Sequence, residues 1–417
     1  AGQERVGLLP YGGGTGLVGG QVSLEGPVPL IVSLEKLSAI RDVFPSENTL
    51  VAEAGAVLAD IHTKAEEANR LFPLSYASQG SARIGGLIAT NAGGTQVLRH
   101  GSMRAQVLGI EAVLADGTVF DSLTPLKKDN RGFDLKQLLI GSEGTLGIVT
   151  GATLQLVPAV AERAVLWAGL GDLRDARKLL LLAEQMAAGA LEGFEVLPRH
   201  SLTSVMNYNP STRSPLTGEH EWHALIELTA DAADAGNLPK LAQNLLEDAF
   251  SAGLVDDATI AANEAQAEQF WTIRDEISPA ERAIGPAVQH DISVPVAQMA
   301  EFVVSSVPKV QAAFPGTRAV AFGHLGDGNV HFHVLAPAGA QRGDWEEANG
   351  KAISAFVHDE VTAWGGSISA EHGIGQMKRD ELARLSDPAH LAILRQVKQA
   401  LDPQGLLNPG KLMPDLD

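Results

Sequence analysis

Cysteine is absent from this chain of 417 residues. That absence removes disulfides, thiolate nucleophiles, cysteine zinc sites, cysteine-bound clusters and cysteinyl flavin links. Any metal must then rest on His, Asp, Glu or carbonyl oxygen. Cations are scarce as well. Thirty-one Lys and Arg face 50 Asp and Glu, and the resulting formal charge of −19 argues against nucleic acid or an anionic membrane surface as a partner. An acidic substrate stays open, because a few local cations outweigh charges beyond a Debye length of about 10 Å. Long apolar runs are missing too: none reaches the roughly 18 residues of a spanning helix. No basic stretch followed by an apolar core and a small-residue cleavage site marks a signal peptide. The cytoplasm is therefore the expected location. Residues 5–11 (RVGLLPY) read as a short strand running straight into glycines, so the chain opens as if in mid-domain.

What is present has two characters. The length exceeds one ordinary core, which predicts two or three domains, and an apolar content of 45 % is that of a folded globular chain. Residues 1–158 are rich in glycine, β-branched runs and turn pairs, with one helix expected over residues 56–69. VLGIEAVLADGTVFD (107–121) reads as a hairpin turning at Asp116-Gly117. LLIGSEGTLGIVTGATLQLVP then reads as glycine-interrupted strands ending at Pro158. From 159 to 370 the pattern changes. Helical periodicity over 170–192 and 235–252, flanked by strands at 164–169 and 223–228, predicts an α+β domain on an antiparallel sheet. Further on, strands at 319–322 and 330–335, a helix at 345–362, a strand at 366–370 and a helical segment over 371–417 complete the reading.

Residues 12–20 read GGGTGLVGG, and the stretch from Gly14 to Gly19 matches G-x-G-x-x-G. The dinucleotide version of that motif needs a long helix to follow. Here Pro27 and Pro29 follow and the pattern returns to strand, which speaks against a nicotinamide cofactor. Two more glycine-dense stretches, GSARIGGLIATNAGG (80–94) and GSEGTLGIVTG (141–151), lie in the same region. Glycine costs conformational entropy, so a fold keeps it where backbone approaches a ligand or adopts positive φ. Successive backbone N–H groups then cradle a diphosphate without cations. A dinucleotide other than NAD fits this pattern.

A second cluster lies near the C-terminal end. His324 and His331 flank the Gly326-Asp327-Gly328-Asn329 turn, and His333 lies two residues beyond His331. A strand–turn–strand geometry brings the two imidazoles together, and His331 shares a face with His333. By themselves these histidines are either half-buried structural groups or metal ligands. Glu371-His372, before Gly373-Ile374-Gly375, adds a carboxylate and a further imidazole. A pair of histidines with a carboxylate and an open position is a catalytic metal arrangement. The two neighbours point opposite ways on extended chain, so a bend at Gly373 is required. Arg274 by itself reads as a surface residue paired with Glu268 or Asp275.

Together, P-x-GGGTG-x-x-GG, IGG-x-IATNAGG, RHGSMRAQVLGIEAVLADGTV and GSEGTLGI-x-T resemble the FAD domain of vanillyl-alcohol-oxidase-type (PCMH-type) flavoproteins. GHLGDGNVHFHV, ISAEHGIG and LDPQGLLNPGK resemble the FAD-linked oxidase C-terminal domain, in the branch that oxidises D-2-hydroxyglutarate, D-lactate or glycolate. The resemblance spans essentially the whole chain. It implies an α+β protein with three parts: an FAD-binding domain over 1–158, a substrate or cap domain over 159–370, and a segment over 371–417 returning to the FAD site. Relatives carry about one further βαβ-like subdomain before the first glycine loop, so the FAD domain is expected to be N-terminally short. Gly12, Gly13, Gly14, Thr15, Gly16, Gly19 and Gly20 are then expected around the FAD pyrophosphate. Ser81, Gly85, Gly86, Asn91, Gly93, Gly94, Gly101, Glu143, Gly144, Thr145, Gly147, Ile148 and Asn408 are expected to line the rest of the cofactor.

The resemblance further implies that His324, His331 and Glu371 bind a divalent metal, zinc above manganese or iron, and that His372 is the general base. Arg274 and Ser278 would hold the substrate carboxylate. Gln289 and His333 would face the substrate at positions where many relatives carry lysine and asparagine. That departure removes a cation from the site and tilts the reading toward a substrate with one carboxylate. The expected reaction is FAD-dependent, metal-assisted dehydrogenation of a D-2-hydroxy acid, with a base whose unperturbed pKa is about 6.5. Lacking cysteine for a cluster, the chain would pass electrons to a separate acceptor, an electron-transfer flavoprotein or quinone, the one route to membrane association. Homodimerisation stays open. The competing readings are a glycolate-oxidase-type FAD subunit, a non-catalytic FAD-binding accessory subunit, an oxygen-using oxidase and a metal hydrolase; the last leaves the glycine loops unexplained.

Overall fold

The computed structural model describes residues 4–24, 26–187 and 189–413. The chain divides into two compact units: Ala1–Ala159 with Glu371–Asp417, and Val160–Ala370.

In the first unit an antiparallel sheet runs in the order Ile40–Phe44, Thr49–Glu53, Ile148–Gln155, Val107–Val113, Val119–Ser122. The expected hairpin is present: Thr118 N–H donates to Asp116 Oδ1 at 2.9 Å, and Gly117 takes φ +88°. The helix Leu58–Glu67 buries Leu58, Ile61 and Ala65, spaced to fall on one face. Four further helices, Ile84–Ala89, Val97–His100, Met103–Gln106 and Lys136–Leu139, were not expected from the pattern. Each is too short to display a helical period. The strand anticipated before the first glycines is Leu8–Tyr11, and it pairs in parallel with Leu30–Ser33. As the prolines require, strand and not helix follows the glycine loop. The C-terminal stretch is knitted into this unit: Leu8 N–H donates to Leu406 O at 2.7 Å, and Asn408 N–H to Leu8 O at 2.7 Å.

The second unit is a seven-stranded antiparallel sheet. Its order is Asp257–Ile260, Glu162–Leu170, Trp222–Ala230, Leu191–Pro198, Arg318–His324, Asn329–Leu335, Ala287–Ser293. The helices expected near 170–192 and 235–252 are Leu173–Ala187 and Leu238–Ser251. The one expected near 345–362 is Asp344–Ala363. Period-2 alternation assigns the two sheet faces. On one, Phe332 meets Phe302 of the helix Met299–Ala313, and His290 meets His358 of Asp344–Ala363. On the other, Trp167, Leu197, Leu225, Val320 and Phe322 pack with Phe270, Ile273, Ile277 and Ala280 of the helices Glu264–Asp275 and Ile277–Ile284. The strand expected at 366–370 is not a ladder strand. Only Ser367 bridges Ser293, and the Ser367 hydroxyl donates to Ser369 O while accepting Ser369 N–H, a local pairing that competes with a ladder. Among the described residues no helix is long and apolar enough to cross a membrane.

His223 lies on the second face, 2 % exposed, with its Nδ1 accepting the Trp167 indole N–H at 3.1 Å. Burial, and then the neighbouring His220, push its pKa down to about 4. The folded state therefore holds the neutral ring, while the unfolded chain takes up a proton below about pH 6.5. Stability is lost as pH falls through this window, by an amount on the order of 3 kcal/mol near pH 4. His223→Gln keeps an acceptor for Trp167 without the titration. Its acid-unfolding midpoint, followed by tryptophan fluorescence, is expected to lie at lower pH than that of the parent, and coincident midpoints would refute this assignment.

Candidate active site

The chemistry-bearing residues of the second unit occupy three rows across one sheet face, as the strand register dictates. Glu195, His324, Asn329 and Ser293 form one row. Phe322, His331 and Asp291 form the next, and Val320, His333 and Gln289 the third. The anticipated hairpin supplies this: His324 pairs with Asn329 across a tight turn, with Gly328 at φ +82° where a side chain would collide with Val294 O.

Arg274, from the helix Glu264–Asp275, lies over the first two rows. Its Nε donates to Glu195 Oε2 at 2.9 Å. Its Nη2 lies 3.1 Å from His324 Nε2 and 3.2 Å from His331 Nε2. The other Glu195 oxygen accepts from His324 Nδ1. Since a guanidinium only donates, both Nε2 atoms present lone pairs to one cationic nitrogen, and Glu195 fixes the His324 tautomer that makes this so. Burial alone pushes the Glu195 carboxyl upward, but the Arg274 charge and the hydrogen bonds from His324 and Arg274 outweigh it and hold it well below the ordinary carboxylate range. Burial, followed by the Arg274 charge, holds His331 well below its usual pKa, in the neutral form that ligates metal. Two neutral imidazoles converging on one positive group are a donor set suited to a divalent cation.

Asp291 accepts from Asn329 Nδ2 at 2.8 Å. His333 Nδ1 meets Glu281 Oε2 at 2.5 Å, and both residues are buried. Ser278 is half-buried one turn beyond Arg274, and Gln289 is exposed opposite His333. Arg274 is thus paired with Glu195, not with Glu268, while Asp275 lies 3.9 Å away.

In the first unit the three glycine stretches meet. A side chain at Gly13 would collide with Ser81 O, and one at Gly144 would come 2.6 Å from Pro10 Cγ, so these backbones touch. Asn408, at φ +40°, ties the ring of loops together by donating to Gly20 O at 3.2 Å and Glu143 O at 2.7 Å. Lys398 braces the third loop from behind, donating to Thr145 O at 2.7 Å and Leu407 O at 3.0 Å beside Asp402. A Cβ at Gly86, exposed on the helix Ile84–Ala89, would meet nothing within 4 Å, so the backbone borders open space there. Asn91 Oδ1 is used internally, accepting from Ser102 Oγ at 3.0 Å and Arg104 N–H at 2.9 Å. The Thr145 hydroxyl donates to Ser142 O at 2.7 Å.

Glu143 has a role that spacing did not suggest. It adopts φ +52°, is 6 % exposed, and accepts the Ile374 and Gly375 N–H groups, each at 2.7 Å. Burial raises its pKa despite those two donors. Its carboxylate therefore clamps the turn that follows Glu371-His372, where Gly373 supplies the expected bend at φ +82°. A Cβ at Gly93 would lie 3.6 Å from Glu371 Oε1, so the second glycine stretch borders that carboxylate. Glu195 and Glu281 were missed from sequence, although a charge inside the apolar strand LEGFEVLP is the one signal that flags Glu195.

The folds and loops define a flavoprotein-type oxidoreductase architecture. Residues 160–412 match the family model of FAD linked oxidases, C-terminal domain, and residues 1–122 match that of an FAD binding domain. The chain belongs to the FAD-linked oxidase family. It is 37 % identical over 414 residues to a probable mitochondrial D-2-hydroxyglutarate dehydrogenase of Oryza sativa subsp. indica, covering 99 % of this chain and 71 % of that protein. A D-2-hydroxyglutarate dehydrogenase of Xanthomonas citri pv. viticola is 35 % identical over 99 % of this chain and 85 % of its own. Among solved structures, p-cresol methylhydroxylase with substrate bound superposes with a TM-score of 0.76 at 14 % identity, over 99 % of this chain and 86 % of that one, a likeness of fold.

Glu195→Ala removes the carboxylate paired with the Arg274 guanidinium, whose side chain is 14 % exposed. Breaking a buried pair of this kind costs about 3 kcal/mol. Denaturant unfolding is expected to show that loss, and a change below about 1 kcal/mol, the scale of a surface pair, would contradict the geometry.

Proposed function

We propose that the protein is an FAD-dependent, metal-assisted dehydrogenase of a D-2-hydroxy acid, yielding the 2-oxo acid. The observation that carries this reading is the convergence of the His324 and His331 Nε2 atoms on one cationic group, in a chain whose relatives are named D-2-hydroxyglutarate dehydrogenases. FAD, when bound, supplies the two-electron acceptor that takes the C2 hydrogen as hydride. The cradle proposed for it is the convergent loops around Gly12–Gly16, Gly86 and Glu143–Ile148, with Asn408 as tie. A divalent metal, zinc in this reading, supplies Lewis acidity toward the 2-hydroxyl, and His324, His331 and Glu371 would hold it. Glu371 follows directly on Ala370, the last residue of the unit that carries both histidines.

The chain's own residues do the rest. Arg274, fixed through Nε by Glu195, anchors the substrate carboxylate, with Ser278 on the next turn. His372 accepts the 2-hydroxyl proton onto its imidazole as general base. Glu143 holds the turn after His372 in place and thereby the base. The electrons then pass to a separate acceptor. Mixing the FAD-loaded protein anaerobically with D-2-hydroxy acids is expected to bleach the oxidised-flavin band. Chelation should abolish the bleaching and zinc restore it. His372→Asn should slow it about 10²-fold or more with substrate affinity little changed. A protein that takes up no FAD, turnover that survives chelation, or an undiminished rate in the variant would each remove the corresponding claim.

Glu143→Gln tests the clamp. The amide has one acceptor for two N–H groups, so the turn shifts and the base is misplaced, an effect worth roughly 10²-fold per ångström. We expect kcat to fall at least tenfold with KM and flavin content near the parental values, and Glu143→Asp to recover part of the loss. Equal losses in kcat and flavin content would mean that Glu143 serves the cofactor instead.

A further inference from the structure

The sheet row beyond the paired histidines carries an unusual group. His333 shares a face with His331 two residues along the strand, about 7 Å away at 3.3–3.4 Å per residue. That distance is within reach of the far end of a 2-hydroxy acid whose chain extends three carbons beyond C2, at about 1.5 Å per bond. Along the adjacent helices, Arg274, Ser278 and Glu281 follow at intervals of four and three residues, so the same direction runs from the anchoring arginine to Glu281. The far end of the face is therefore made by His333, Glu281 and Gln289.

Among the described residues it offers a second carboxylate no Lys or Arg partner. Glu281 is fully buried, 0 % exposed, and one of its oxygens meets His333 Nδ1. The other, Oε1, is buried with no hydrogen-bond partner. Among the described residues no Lys or Arg is hydrogen-bonded or ion-paired to Glu281, His333 or Gln289, and the arginine nearest the histidine pair, Arg274, is already matched by Glu195. A buried oxygen left without a donor is a standing cost that a ligand N–H or O–H relieves, whereas an ionised second carboxylate brings only further acceptors. Gln289, directly across from His333, adds an amide that both donates and accepts.

We infer that the His333–Glu281–Gln289 group is a distal specificity subsite, selecting a D-2-hydroxy acid whose far end is an uncharged hydrogen-bond donor, an amide or hydroxyl, over one ending in a second carboxylate. This rests on the dehydrogenase reading and narrows its substrate class away from the dicarboxylate in the relatives' names. A site built around buried polar groups discriminates strongly, because the wrong substrate leaves them unpaired.

The test uses the FAD- and zinc-loaded full chain with an artificial electron-accepting dye. kcat/KM is measured for D-2-hydroxyglutarate, for its distal amide, and for D-lactate as a short reference. The amide is expected to exceed the dicarboxylate about 10²-fold or more. Gln289→Lys, at an exposed position that leaves packing intact, should raise the dicarboxylate at least tenfold relative to the amide, and Glu281→Gln should move the ratio the same way. A parental enzyme that uses the dicarboxylate as well as or better than the amide overturns the subsite, as does a ratio unmoved by Gln289→Lys. If none of the acids reduces the flavin, the dehydrogenase reading itself fails and the subsite with it, a result distinct from a wrong order of preference.

Discussion

A single carboxylate, that of Glu195, determines how the histidine pair is presented. Burial on the inner strand of a sheet would ordinarily neutralise it. It stays ionised because Arg274 and His324 approach it from two sides. The consequence passes down the chain of contacts. With His324 Nδ1 committed to Glu195, the Nε2 lone pair must face outward, and with Arg274 held at Nε, its Nη2 stands where both imidazoles point. The arginine thus occupies the focus of two imidazole lone pairs. Removing Glu195 would release tautomer, ring orientation and guanidinium together, so this ion pair is better described as specifying geometry than as supplying stability.

Register carries the same constraint outward. A strand has side-chain period 2, and a slip of one residue would turn His324, His331 and His333 to the face that packs on Phe302. Gly323 and Gly328 guard against that slip at the hairpin end. At Gly323, with φ +148°, a side chain would collide with the opposing strand at Asn329 O. Backbone approach here is incompatible with any Cβ, which pins the pairing from which the three rows follow.

How much of this the sequence discloses depends on the range of the interaction. The GDGN turn between two histidines is local, and strand–turn–strand was legible from it. So were the Asp116-Gly117 hairpin, the amphipathic helices and the convergence implied by three glycine stretches, since each reports a nearby backbone requirement. The partners of Glu195 lie 79 and 129 residues away. No pattern of period 2 or 3.6 encodes such a pairing, and only the oddity of a charge in an apolar strand marks it. Glu281 lies on a helix whose burial became visible only once Ile277 and Ala280 were packed on the sheet. The stretch 366–370 failed as a strand for a local reason, the Ser367 hydroxyl that satisfies the Ser369 backbone before a ladder can.

An acidic chain proposed to bind an acidic cofactor and an acidic substrate appears contradictory until the individual carboxylates are followed. Glu195 faces Arg274 and His324, Glu143 faces two backbone N–H groups, and Asp402 faces Lys398 and the N–H groups of Leu406 and Leu407. Each buried charge is answered within a few ångströms by donors of its own, so its field is short-ranged. The bulk of the −19 charge lies on exposed side chains, where solvent and salt screen it beyond about 10 Å. The convergent loops, by contrast, present backbone to the space at Gly86, and among the described residues the other buried carboxylates are closed by donors. Glu281 is the exception, since one of its oxygens has none. A buried acceptor kept open in a protein that closes its other buried carboxylates is the feature from which substrate selection by an uncharged donor follows.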